Sequence, residues 1–126
     1  MKKIVKTNTA PGAIGPYNQA VIDEKSGMIF TAMQIALDPN TAEIVGDDIS
    51  TQAHQVLKNL QNILIAAGSD LNKCLKVNLY FTDLSDFVTV NEIYAEYFTG
   101  NFPARAAMEV KSLPKGGLIA ADIVAY

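Results

Sequence analysis

Leu75-Lys76-Val77-Asn78-Leu79-Tyr80-Phe81-Thr82 is the clearest half-buried strand in the chain, because Leu75, Val77, Leu79 and Phe81 alternate with Lys76, Asn78, Tyr80 and Thr82. A period of two puts the two sets on opposite faces of a pleated sheet. On its N-terminal side, Ala53, Val56, Leu57, Leu60, Ile63, Leu64 and Ala67 recur at three- and four-residue steps. That spacing predicts an amphipathic helix from about Ile49 to Ala67, with Asp48 or Ser50 as its start cap and Gly68 at its end. On the C-terminal side, Asp83 or Ser85 opens a second helix, with Phe87, Val90, Asn91, Tyr94, Tyr97 and Phe98 facing inward and Gly100 closing it. Two helices with one-sided apolar stripes around such a strand predict an α+β domain, a mixed β-sheet with both helices on one face. One domain of this kind accounts for residues 1–126.

The remaining segments read as strands and turns. Lys2 to Thr7 forms a first strand, and the loop Thr9-Ala10-Pro11-Gly12-Ala13-Ile14-Gly15-Pro16 delivers Tyr17 to a second strand, Asn18 to Ile22. Glu24-Lys25-Ser26-Gly27 turns the chain into a third strand, Met28 to Met33, as a hairpin, and Glu43-Ile44-Val45 adds a short edge strand. Past the second helix, Pro103-Ala104-Arg105-Ala106-Ala107-Met108-Glu109-Val110 reads at period two, with Arg105, Ala107 and Glu109 on one face. Pro114-Lys115-Gly116-Gly117 then turns the chain, and Leu118 to Ala125 returns as a hairpin partner of that strand. Arg105, among alanines at a strand start, suits a planar carboxylate held by two parallel hydrogen bonds. The alternative is a surface arginine covering a sheet edge.

Composition narrows the function classes. The net charge is −3 with no run of Lys and Arg, which disfavours nucleic acid as a partner, since neutralising phosphates takes a basic face. No apolar run approaches the roughly 20 residues of a membrane helix, and Lys2-Lys3 precedes no signal-like segment, so a cytoplasmic protein without membrane contact is expected. The single cysteine, Cys74, excludes an intrachain disulfide and a Cys-based metal site and reads as a small core residue. His54, the only histidine, points off the apolar stripe of its helix and reads as a surface residue. The sheet face away from the helices needs a cover, and self-association is the cheapest one.

Three stretches together carry a family resemblance: Ala10-Pro11-Gly12-Ala13-Ile14-Gly15-Pro16-Tyr17-Asn18-Gln19-Ala20, Val90-Asn91-Glu92-Ile93-Tyr94, and Pro103-Ala104-Arg105 with Glu109-Val110 and Leu113-Pro114-Lys115. The chain resembles the Rid (YjgF-type) family of reactive intermediate deaminases over essentially its whole length. The resemblance implies a chorismate-mutase-like α+β fold, a homotrimer with clefts between subunits, no cofactor, no metal, and hydrolysis of 2-imino acids to 2-keto acids and ammonia. By the same resemblance, Arg105 matches the arginine that holds the substrate carboxylate, Tyr17 the tyrosine that lines the cleft, and Asn91 a structural asparagine.

Three positions depart from the family pattern. Ala32-Met33-Gln34-Ile35-Ala36 replaces Ser-Gly-Gln-Ile-Pro, so Met33 stands where a glycine would approach the ligand. Ala107 replaces a common cysteine, whose neighbouring backbone carbonyl takes part in catalysis. Ile119-Ala120-Ala121-Asp122 replaces an Ile-Glu-Ile-Glu pattern, keeping the second acid as Asp122 and losing the water-placing first one at Ala120. The expected function is hydrolysis of small 2-imino acids, weakened by Ala120 and Met33. The alternative is a non-catalytic trimer binding 2-keto acids for regulation, and a ribonuclease role fits the acidic composition least.

Overall fold

The computed structural model describes residues 1–126. Its elements run β1 (Lys2–Val5), β2 (Ala20–Asp23), β3 (Ile29–Thr31), β4 (Gln34–Ile35), α1 (Ile49–Ala66), β5 (Cys74–Phe81), α2 (Phe87–Tyr97), β6 (Ala104–Glu109) and β7 (Ile119–Ala125). The strands make one sheet in the order β1-β2-β3-β7-β5-β6, with β4 also pairing to β7. Every pairing is antiparallel except β5 with β6, so the sheet is mixed. No helix is long and apolar enough to cross a membrane.

The hairpin expected between β6 and β7 does not form. β6 lies parallel to β5 at the sheet edge, and β7 is inserted between β3 and β5. Burial explains the placement. β7 is buried or half-buried at every position and needs neighbours on both sides, whereas β6 has no fully buried residue and tolerates an edge. Parallel pairing needs a long crossover, and α2 supplies it between β5 and β6. The expected β2–β3 hairpin is present, but Glu43-Ile44-Val45 contributes only an isolated bridge between Leu37 and Ile44.

Both helices cover one face. Val77, Leu79 and Phe81 of β5 and Ile119, Ala121 and Ile123 of β7 are buried against Val56, Leu57, Leu60 and Ile63 of α1 and Val90 of α2. A register skip between Cys74 and Lys76 breaks the alternation at Leu75, leaving it exposed and turning Cys74 into the core. Burial and the nearby Asp70 carboxylate push the Cys74 thiol up to about 12, so it is an inert packing group. α1 begins where Asp48 accepts the Thr51 N–H at 2.9 Å. It ends in a Schellman turn, with Ser69 N–H bonded to Leu64 O, Gly68 N–H bonded to Ile65 O, and Gly68 at φ +82.

The opposite face is open. Strand register places Ile4, Val21, Phe30, Val124, Lys76 and Ala104 on one row across it, and Ile4 and Phe30 are exposed. Two neighbouring rows carry Asp122, Asn78 and Ala106, then Ala120, Tyr80 and Met108. The Asp122 carboxylate accepts from Asn78 Nδ2 at 2.8 Å and from the Tyr80 hydroxyl at 2.6 Å. Donation to that carboxylate, with some burial, pushes the Tyr80 hydroxyl up to about 12.

Candidate functional site

The arginine at the start of β6 is held in a slot. Asn101-Phe102-Pro103 leads into the edge strand, and Arg105 turns its side chain toward α2. Phe87, Asn91 and Tyr94 stand four and three residues apart on that helix and so share one face. The Arg105 guanidinium carbon lies 5.0 Å from the Phe87 ring centroid and 4.9 Å from that of Tyr94. Its Nη1 donates to Asn91 Oδ1 at 2.8 Å. Each ring contributes about 0.5–1 kcal/mol of cation–π attraction at such a partly exposed position. A cleft of ≈ 490 Å³ opens beside the guanidinium, lined by Asn91, Tyr94, Ala95, Phe102, Pro103 and Arg105.

Tyr94 has a second feature. Its ring stacks on Phe98 at 4.4 Å, and its hydroxyl is buried with no protein hydrogen-bond partner. Burial pushes that hydroxyl up to about 12, against the pull of the Arg105 charge. The ring is therefore the useful part of this residue. Tyr94→Phe is expected to leave the chain as stable or up to about 1 kcal/mol more stable, read from the urea midpoint. A loss above about 1 kcal/mol would show that the hydroxyl is bonded after all.

The other residues of β6 sort by geometry. Glu109 Oε1 accepts the Leu84 N–H at 3.0 Å and so anchors the turn that leads into α2. Ala107 is half-buried on the Arg105 side of the strand. Because the Val110 N–H points to Phe81 O, the alternation of backbone groups turns the N–H and C=O of Arg105, Ala107 and Glu109 to the free edge of β6. The Ala107 carbonyl is thus outside the sheet's own pairing.

Tyr17 and Met33 lie elsewhere. Tyr17 is exposed beside a hollow of ≈ 280 Å³ that Ile4, Lys6, Thr7, Gly12 and Gln19 also line. Its loop is fixed by the buried Gln19, which accepts from Thr7 N at 2.8 Å and donates Nε2 to Thr7 O at 3.0 Å and Pro11 O at 2.8 Å. Asn62 of α1 adds a bond to Thr9 O at 2.8 Å. Met33 is exposed just past Ala32, whose N–H bonds Gln19 O at 2.8 Å and ties the two loops together. Gln19→Leu is expected to cost about 1–3 kcal/mol, since it leaves buried backbone groups unpaired. An unchanged urea midpoint would contradict that account.

The chain therefore brings Arg105 together with Asn91 and Tyr94, but leaves Tyr17 with the β1–β2 edge and Arg105 on β6 at the opposite edge. Ala120 is fully buried on the open face, paired with Tyr80 and Ile35. His54 is half-buried rather than on the surface, because Tyr97 of α2 meets it with its hydroxyl 3.0 Å from Nδ1. Sequence reasoning missed Gln19 and the slot around Arg105. The four- and three-residue spacing of Phe87, Asn91 and Tyr94 was the available signal, and it reads equally well as core.

A mixed sheet with two helices on one face and an arginine slot at a free edge defines an α+β protein with an open cleft beside its arginine. Comparison with known proteins makes the class specific. The family model described as Endoribonuclease L-PSP matches residues 7–126. The chain is 48% identical over 126 residues to a RutC family protein of Pyrococcus horikoshii, covering 100% of this chain and 98% of that one. It is 45% identical over 125 residues to the human protein named 2-iminobutanoate/2-iminopropanoate deaminase, covering 99% of this chain and 90% of that one. Among solved structures, the conserved Rid family protein YyfA of Yersinia pestis superimposes with a TM-score of 0.95 at 40% identity, over 99% of this chain and 98% of that one. The chain belongs to the Endoribonuclease L-PSP family, the Rid proteins.

Proposed function

We propose that the protein hydrolyses small 2-imino acids to 2-keto acids and ammonia in clefts formed between copies of itself. The observation that carries this reading is the Arg105 slot, an oriented guanidinium with no carboxylate bonded to it, beside an open cleft. The deaminase name of the human relative supports it. The substrate carboxylate pairs with Arg105 through two parallel hydrogen bonds, which fixes the C=N carbon at the free edge of β6. A water held by the Ala107 carbonyl adds its oxygen to that carbon. One proton of the water passes to the iminium nitrogen, and as the C–N bond breaks the remaining hydroxyl proton follows it, so that the C=O forms and keto acid and ammonium leave. The scheme draws on Arg105 and the Ala107 carbonyl, and no cofactor enters it.

Tyr17 and Met33 form the opposing wall from a second copy, since one chain holds them away from Arg105. Three copies covering one another's open sheet faces is the expected assembly, because Ile4 and Phe30 would otherwise face water. Light scattering at micromolar concentration should give three times the 13.6 kDa chain mass. A single-chain mass would contradict the assembly.

The second reading, a trimer that binds 2-keto acids without turning them over, is favoured by Ala120, where the family pattern has its water-placing glutamate. Freshly generated 2-iminobutanoate separates the two. Hydrolysis faster than in buffer supports the deaminase reading, while a buffer rate together with retained 2-oxobutanoate binding supports the second.

A further inference from the structure

We infer that Asn91 is a positioning residue for Arg105, chosen by chemistry to orient the guanidinium without neutralising it; the inference rests on Arg105 being the carboxylate anchor. A guanidinium at a sheet edge has two ordinary ways to be fixed. A carboxylate would hold it best, but would also cancel the charge that a ligand anion needs. The neutral amide of Asn91 takes one Nη1 hydrogen at 2.8 Å and leaves the full charge in place. Phe87 and Tyr94 then restrict the plane of the group with their ring faces, at 5.0 and 4.9 Å from its carbon, again without charge. Of the five N–H donors of arginine, four stay free for a planar anion. The nearby acid of β6, Glu109, is engaged elsewhere by the Leu84 N–H.

This arrangement makes an unusual ordering of variants. Asn91→Asp keeps the shape and the acceptor and strengthens the contact with Arg105. A merely structural asparagine would therefore be replaced more safely by Asp than by Leu. A neutral positioning group gives the reverse order for ligand binding. We expect Asn91→Asp to lose about ten- to a hundredfold in affinity for 2-oxobutanoate by titration calorimetry, with its melting temperature held or raised. Asn91→Leu should lose less, because the charge survives and only its orientation is freed. Arg105→Lys is measured alongside. If Arg105→Lys loses affinity while Asn91→Asp binds as tightly as wild type, the positioning role is wrong and the anchor stands. If Arg105→Lys binds like wild type, the anchor itself is wrong and the inference falls with it. Side-chain 15N relaxation of wild-type protein gives a readout that needs no variant. Slow rotation of the Arg105 guanidinium about its Cζ–Nε bond is expected, and free rotation would overturn the inference.

Discussion

Arg105→Lys is expected to lower affinity for 2-oxobutanoate by about ten- to a hundredfold, the cost of about 1.5–3 kcal/mol for a lost charge-assisted hydrogen bond. Lysine keeps the positive charge on a flexible stem but loses the two parallel donors of the fork. It also loses the planar face that Phe87 and Tyr94 contact at 5.0 and 4.9 Å, so the cation is no longer held in one orientation. Titration calorimetry checks this directly. Equal affinity in the two proteins would place the carboxylate site elsewhere.

Ala120→Glu should raise the rate of 2-iminobutanoate hydrolysis by about 10²-fold, at the lower end of what a positioned acid–base group contributes. Affinity for 2-oxobutanoate should stay nearly unchanged, because the new carboxylate places water in the transition state more than it binds the ground state. The structure adds a cost. Ala120 is fully buried between Ile35 and Tyr80, two residues from Asp122, so the larger charged side chain should lower stability by about 1–3 kcal/mol. Met33 is the competing explanation, an exposed flexible side chain where the family pattern has a glycine. If it fills the cleft, Met33→Gly raises both affinity and turnover, and Ala120→Glu alone does little. The double variant decides, since coupling beyond about 0.5 kcal/mol puts the two residues in one pocket.

Much of the fold was legible because burial writes itself into periodicity. The stripe from Ala53 to Ala67 and the alternation through β5 predicted α1 and the central strand close to their observed limits. Neighbour choice is not written that way. Period two says that β6 and β7 are strands, but not that β5 comes between them, and the turn at Pro114–Gly117 made a hairpin look simplest. Leu75 failed for a related reason, since one register skip exchanges inside for outside. Arg105 was legible as a guanidinium among alanines at a strand start, which suits a bound carboxylate and equally a surface arginine covering a sheet edge. Its slot was not, because Phe87, Asn91 and Tyr94 have the spacing of any helix face turned to a core. The separation of Tyr17 from Arg105 was also hidden. Motifs far apart in sequence carry no record of which sheet edge they reach.

In the proposed site, a 2-keto acid carboxylate is held by Arg105 of one copy in a cleft closed by Tyr17 and Met33 of another. A crystal structure of the protein grown with 2-oxobutanoate tests it most directly. The ligand carboxylate is expected on two guanidinium nitrogens of Arg105, with the Tyr17 loop of a neighbouring copy within contact distance and the Ala107 carbonyl facing the keto carbon. Ligand bound away from Arg105, or a cleft closed by a single chain, would contradict it.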